Sequence, residues 1–180
     1  NIASLISLVM LSKQNATSVD EFAQTLDGRL NALSIAHSSL AKTNWSGAEL
    51  GEILRLTLQP YMDANLNRIH IHGSKLELPG AYTRPMCMVI HELATNAMKH
   101  GSLSSESGEV RISYTTENNG VLCDFLWQEC NGPLILDPIS PSVGTSLLDG
   151  LVMHELHGSI NRSYDKKGFR CEIKIPKDEV

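Results

Sequence analysis

Little in this 180-residue chain points to a membrane, a disulfide framework or a nucleic-acid surface. No apolar run approaches the roughly 20 residues that span a bilayer. The apolar opening, residues 2–11, is broken by Ser4 and Ser7 and lacks the basic leader and cleavage site of a signal peptide. Positive charge is in deficit, with 15 Lys and Arg against 20 Asp and Glu and a net charge of −5, which argues against a nucleic-acid binder with its basic stripe. The four cysteines, Cys87, Cys123, Cys130 and Cys171, are scattered without a C-x-x-C pair. They read as reduced thiols of a cytoplasmic protein with no zinc site. The seven histidines show no H-E-x-x-H spacing, so His91-Glu92 is not a zinc-protease signal. What is present is 42% apolar residues against 19% charged, the balance of a packed globular core. The length suffices for one large domain or two small ones.

Two parts are legible. Residues 1–43 read as two helices joined by the polar break Gln14-Asn15-Ala16-Thr17. In the first, Ile2, Leu5, Ile6, Val9 and Lys13 recur at helical spacing. Ser18-Val19-Asp20-Glu21 has the S-x-x-E pattern of a capping box. Phe22, Leu26, Leu30, Leu33, Ala36, His37 and Leu40 then carry the second helix. A break this short makes the helices antiparallel neighbours. Gly28 weakens the expectation of a regular helix, at about 1 kcal/mol relative to Ala. His37, the lone histidine of the hairpin, is read as a packing residue.

From residue 44 the pattern is mixed. A helix is expected over 47–61, with Leu50, Ile53, Leu54 and Leu58 apolar and Pro60 ending it. Strands are expected over 68–72 and 75–78, and a helix over 82–100 with Pro85 in its first turn and Gly101 stopping it. Two strands, 109–116 and 121–129, flank Asn118-Asn119-Gly120, a strong hairpin signal. Residues 130–143, with Pro133, Pro138 and Pro141, read as a loop of the length of a functional lid. A helix over 146–156 and strands over 159–163 and 169–175 complete the chain. Helices first, then strands with helices between them, fit an α+β layer with a mixed sheet covered on one face.

The chemistry concentrates in His91-Glu92-Leu93-Ala94-Thr95-Asn96-Ala97-Met98-Lys99-His100-Gly101. At 100° per residue Glu92, Asn96, Lys99 and His100 share one stripe, and Met86, Ile90, Leu93 and Ala97 form a separate apolar stripe. A carboxylate and an amide oxygen suit a hard Mg²⁺ ion, and the basic groups suit phosphate oxygens. Spacing alone equally allows a solvated polar face.

The stretch resembles the N-box of the ATP-binding fold shared by gyrase, Hsp90, histidine kinases and MutL. His91 inside that box, together with Trp127-x-Glu129, resembles one branch, the HWE family of bacterial sensor histidine kinases. The resemblance implies a dimerisation and phosphotransfer hairpin (1–43), then an ATP-binding two-layer α/β sandwich with a mixed sheet (44–180). It implies that Asn96 gives its side-chain oxygen to Mg²⁺ and that Glu92 orients metal waters or the reacting group. Lys99 and His100 would face the phosphates, and His91 would steady the lid or the Trp127-x-Glu129 motif, a structural role being open for it. Glu129 occupies the place of an Asp that accepts from the adenine amino group in other kinases of this fold. Gly132 matches a Gly-Gly-Pro-like turn in which Asn131 replaces the first Gly. Gly144 and Thr145 match the second half of a G-F-G-T phosphate cradle, whereas Ser142 and Val143 replace its first half.

The cofactors so implied are ATP and Mg²⁺. The implied partners are a response-regulator receiver domain, a second copy through the hairpin, and an upstream sensor domain. In the HWE pattern the phosphate-accepting His precedes a K-N pair, so it is expected just upstream of residue 1. The rival reading is an ATP-independent histidine phosphotransferase or response-regulator docking module. Ser142-Val143 favours it; Glu92, Asn96, Lys99 and Glu129 oppose it. An ATPase or chaperone of the same superfamily is disfavoured by the helical hairpin and the short lid.

Overall fold

A computed structural model describes residues 2–62, 68–117, 121–134, 143–165 and 168–177. Helices α1 (Ile2–Asn15) and α2 (Val19–Lys42) form the hairpin. Ser18 caps α2, its Oγ accepting from the Glu21 amide at 3.1 Å. The other half of the box differs from expectation: Glu21 Oε2 accepts from the Thr17 amide at 2.9 Å and the Thr17 hydroxyl at 2.7 Å. The acid thereby fastens the connecting turn as well as the helix start.

The buried face of α2 follows the apolar stripe at Leu26, Leu33, Ala36 and Leu40 but departs from it elsewhere. Leu30 is exposed and His37 lies at the surface, edge-on to Trp45 with ring centroids 4.7 Å apart. Ala32, Ala36 and Leu40 are buried, and so is Arg29. On α1, Leu8 and Ser12 are buried while Ile6, Val9 and Met10 are exposed. Helix α2 runs uninterrupted through Gly28, as its apolar period predicts. The missing side chain there makes room for the His91 ring: a Cβ would lie 2.7 Å from its Cε1.

Strand β1 (Gly47–Glu49) pairs antiparallel with β3 (Glu77–Pro79) in a small two-stranded sheet. The apolar spacing predicts a helix starting at Gly47. It starts instead at Leu50, as α3 (Leu50–Leu58), after the Glu49 carboxylate caps the Gly51 and Glu52 amides. A 3-10 turn, Gln59–Tyr61, follows around Pro60. Leu50, Ile53, Leu54 and Leu58 are fully buried, each worth roughly 1.5–3 kcal/mol of transfer free energy.

Strand β2 (Ile69–Gly73) opens the main sheet. Helix α4 (Gly80–Lys99) begins two residues before its expected start, so Pro85 falls in the second turn rather than the first. Strands β4 (Glu109–Glu117) and β5 (Val121–Cys130) follow; the turn predicted at 118–120 lies outside the described residues. Helix α5 (Val143–Gly150) runs into a π turn, Leu151–Glu155, and β6 (Ser159–Asp165) and β7 (Gly168–Pro176) close the chain.

The main sheet has the order β2-β4-β5-β7-β6, with β2 parallel to β4 and the other pairs antiparallel. It is the mixed sheet expected of an α+β fold. One face is apolar: Val110, Ile112, Cys123, Phe125, Trp127, Cys171, Ile173 and Ile175 are buried at alternate positions, as period-two geometry demands. They form one core with Met86, Ile90, Leu93 and Ala97 of α4. With that stripe committed to the sheet, the opposite stripe of α4 is turned toward α2, which packs along it.

Candidate functional site

Helix α4 carries the N-box-like stretch on the side away from the sheet. Its side chains become more exposed toward the C-terminus: His91 and Glu92 are buried, Thr95 and Asn96 half-buried, Lys99 and His100 exposed. The helix ends with the His100 and Gly101 amides both bonded to the Asn96 carbonyl, at 2.9 and 3.0 Å.

Glu92 is not open to solvent. Arg29 of α2 binds it as a fork, Nε to Oε1 at 2.7 Å and Nη2 to Oε2 at 3.0 Å, with the side chains 3% and 7% exposed. Arg29 Nη1 also donates to Ser12 Oγ at 2.8 Å, and that hydroxyl donates to the Leu8 carbonyl at 2.8 Å. Such a bidentate, charge-assisted pair is among the stronger hydrogen-bonded arrangements. Two turns further on, Lys99 Nζ is 3.5 Å from Glu21 Oε1 in a half-exposed ion pair. Both charged groups thus pair with α2.

His91 faces Gly28 and shares its Nδ1 with the Tyr61 hydroxyl at 2.9 Å, which also bonds the Thr95 hydroxyl at 3.1 Å. Burial pushes the His91 pKa below its usual value; neighbouring Glu92 opposes this and Arg29 adds to it. His91 is therefore a packed, hydrogen-bonded residue of the hairpin contact. Its ring is directed at α2 and Tyr61.

Glu129, near the end of β5, lies under the exit of α4. Its Oε2 accepts from the Ser102 amide at 2.6 Å and its Oε1 from the Trp127 indole N–H at 3.2 Å. Burial raises its pKa, while the Ser102 and Trp127 donors act the other way. The carboxylate lies so close to the chain that a Cβ on Gly101 would be 2.0 Å from Oε2. Gly132 likewise lets the strand exit approach Ser102, where a Cβ would be 2.7 Å from Cα. Asn131 adopts φ 57°, the left-handed conformation that Asn tolerates. Trp127 is fully buried in the core.

Gly144 and Thr145 are in the first turn of α5, a helix that packs against α4 through the buried Leu148 side of the core. Residues 135–142 of the expected lid (130–143), Ser142 among them, lie outside the described residues. The structure therefore brings together the end of α4 and Glu129, with α5 packed beside α4. Among the described residues no cluster of three or more His, Cys, Asp or Glu forms a ready metal cage. A Mg²⁺ ion held by one amide, phosphates and waters needs none.

Arg29, Ser12, Tyr61 and Thr95 were missed from sequence. Arg29 did leave a signal: it stands three residues from Leu26 and Ala32 on the buried face of α2, and a cation on such a face calls for a buried anion.

The chain is similar to known histidine kinases. The family model for HWE histidine kinases matches residues 1–75. A blue-light-activated histidine kinase 1 of Erythrobacter litoralis is 32% identical over 97% of the chain and 49% of its own length. A blue-light-activated histidine kinase of Brucella ovis is 30% identical over 98% of the chain and 36% of its own length. The chain thus spans half or less of these relatives. Among solved structures, a histidine kinase domain from Erythrobacter litoralis superposes with a TM-score of 0.71 at 19% identity, covering 98% of this chain and 85% of that one. The catalytic domain of the histidine kinase ThkA gives 0.53 at 16% identity, covering 72% and 94%. At these identities the structural likeness speaks for the fold; together with the sequence relatives and the family match, it leads to one conclusion. The chain is similar to the HWE histidine kinases over residues 1–75 and to blue-light-activated histidine kinases over nearly its whole length.

Proposed function

We propose that residues 44–180 bind Mg-ATP at the junction of α4, β5 and α5, and that the chain is the catalytic core of a sensor histidine kinase. The observation that carries this reading is Glu129: a buried carboxylate fixed by Ser102 N–H and Trp127 at the exit of the N-box helix, just past Lys99 and His100. A carboxylate has about four lone-pair positions. The two donors it already has leave room to accept from an exocyclic amine. Losing that partner would strand a buried acceptor, which is how such a group selects a base.

The residues present fit the group. Asn96 would give its amide oxygen to Mg²⁺, with Glu92 acting through a metal-bound water. Lys99 and His100 would neutralise phosphate charge, and the first-turn amides at Gly144 and Thr145 would add helix N-terminal donors. Gly132 would keep the wall beside the base low. Bound Mg-ATP would supply the transferable γ-phosphoryl group. The chain's contribution is positioning and charge neutralisation, the dominant needs of phosphoryl transfer.

In this reading residues 1–43 serve dimerisation and phosphotransfer. The exposed Ile6, Val9 and Met10 stripe of α1 suits a second copy. The phosphoryl group would pass to a His upstream of residue 1 and then to an Asp of a response-regulator receiver domain, with a sensor domain preceding the core. No helix of the described residues is long and apolar enough to cross a membrane, which suits a cytoplasmic site of action. The rival reading, an ATP-independent phosphotransferase or docking module, draws on the pairing of Glu92 and Lys99 with α2. Calorimetric titration with Mg²⁺ and a non-hydrolysable ATP analogue separates the two. Micromolar binding, about −8 kcal/mol at 1 μM, that disappears in Asn96→Asp supports the kinase. No binding at millimolar nucleotide transfers support to the relay.

A further inference from the structure

Among the described residues two ion pairs join the hairpin to the N-box-like stretch, and both come from α2. Arg29 puts a cation on Glu92, the group assigned above to a metal-bound water. Glu21 puts a carboxylate on Lys99, the group assigned to phosphate. Each pairing has the sign of what the nucleotide complex would bring: a positive fork where Mg²⁺ would act, a carboxylate where phosphate oxygens would lie. The two anchors lie about two turns apart along one stripe of each element, Glu21 to Arg29 on α2 and Glu92 to Lys99 on α4.

The contact between the anchors is a close one. The absent side chain of Gly28 lets α2 approach until the His91 ring fills its place, and Ser12 of α1 takes a third Arg29 donor. Both helices of the hairpin are therefore engaged through Arg29, whose fork bonds Glu92 while its third donor bonds Ser12. The exposed Glu21–Lys99 pair contributes little by itself, as half-exposed pairs do. The buried Arg29–Glu92 pair is what makes the arrangement specific.

We propose that α2 is a built-in competitor of Mg-nucleotide: Arg29 and Glu21 occupy the charges of Glu92 and Lys99, and nucleotide binding and hairpin docking oppose each other. The inference rests on the nucleotide reading of the site. A site open in only a fraction of molecules shows an apparent dissociation constant raised by the reciprocal of that fraction. By reciprocity, bound nucleotide must loosen α2 to the same degree.

The test titrates Mg²⁺ plus a non-hydrolysable ATP analogue into the 180-residue chain and into the Arg29→Met/Glu21→Gln double variant. Hydrogen exchange across α2 is followed in the wild-type chain with and without the same mixture. The expected result is binding tightened about tenfold or more in the variant, together with faster α2 exchange when nucleotide is added to the wild type. Binding seen only in the variant is the stronger form of the same support. Equal or weaker binding by a folded variant overturns the competition and leaves the nucleotide site standing. Should the variant not fold, the wild-type exchange decides, and nucleotide that binds without changing α2 overturns the proposal. No binding by either protein overturns both the competition and the nucleotide site.

Discussion

Gly28→Ala is a substitution whose sign the hairpin contact reverses. In an isolated helix the change stabilises by about 1 kcal/mol, because Ala loses less conformational freedom than Gly. Here the new Cβ would lie 2.7 Å from His91 Cε1 and 2.9 Å from Nε2. Carbon pairs sit best at about 3.5–4.0 Å, so the ring must retreat by most of an ångström. It has little freedom to do so, being 8% exposed with Nδ1 held 2.9 Å from the Tyr61 hydroxyl. Overpacking of this kind costs about 1–3 kcal/mol. After the helical gain is set against it, Gly28→Ala is expected to destabilise by about 1 kcal/mol. In a His91→Ala background the clash is gone, and the same substitution is expected to stabilise by up to about 1 kcal/mol. Urea unfolding of the four proteins in this cycle measures both numbers. Equal stabilisation by Gly28→Ala in both backgrounds would refute the contact.

Other expectations follow from single sites. Burial holds His91 below the usual histidine value of 6.5, so the folded chain resists a proton that the unfolded chain accepts near that pH. The stability this provides is complete above pH 6.5 and is lost as pH falls through the lower folded value; His91→Gln should flatten the fall in unfolding free energy below that point, and an unchanged slope contradicts it. Burial pushes Cys87, Cys123 and Cys171 up to about 12, whereas Cys130 is half-buried. Alkylation of the folded chain near pH 8 should add one label quickly, on Cys130; mass spectrometry showing a second label at that rate would count against the packing of the sheet face. Gly101→Ala would drive a methyl toward Glu129 Oε2 and the Ala97 backbone and should cost roughly 1–3 kcal/mol in chemical denaturation, a loss that an unstrained turn would not show.

The sequence made visible what depends on local period. The apolar stripes of α3 and α4 and the alternation along β4, β5 and β7 all turned inward as their spacing requires. It hid what depends on distant partners. Gly47–Glu49 reads as a helix start until Glu77–Pro79 arrives to pair with it. Leu30 fits the apolar period of α2, yet Arg29 is the buried residue, because its anion is 63 positions away on α4. The polar stripe of α4 was recognisable as residue types, but spacing could not reveal that Glu92 and Lys99 meet α2. Trp127 and Glu129 were visible as a motif; the 2.6 Å bond that draws Glu129 under the exit of α4 came only with the fold.

The central claim is that Glu129 and the end of α4 form one adenine-selective nucleotide site. The most direct test compares the affinity of Mg-bound ATP and ITP analogues, which differ at the amine that Glu129 would accept, in the wild-type chain and in Glu129→Gln. A hydrogen bond to a charged acceptor is worth about 1.5–3 kcal/mol, so the account predicts at least a tenfold preference for the adenine nucleotide that shrinks markedly in the variant. Equal affinity for the two analogues, or a preference that survives in Glu129→Gln, would contradict it.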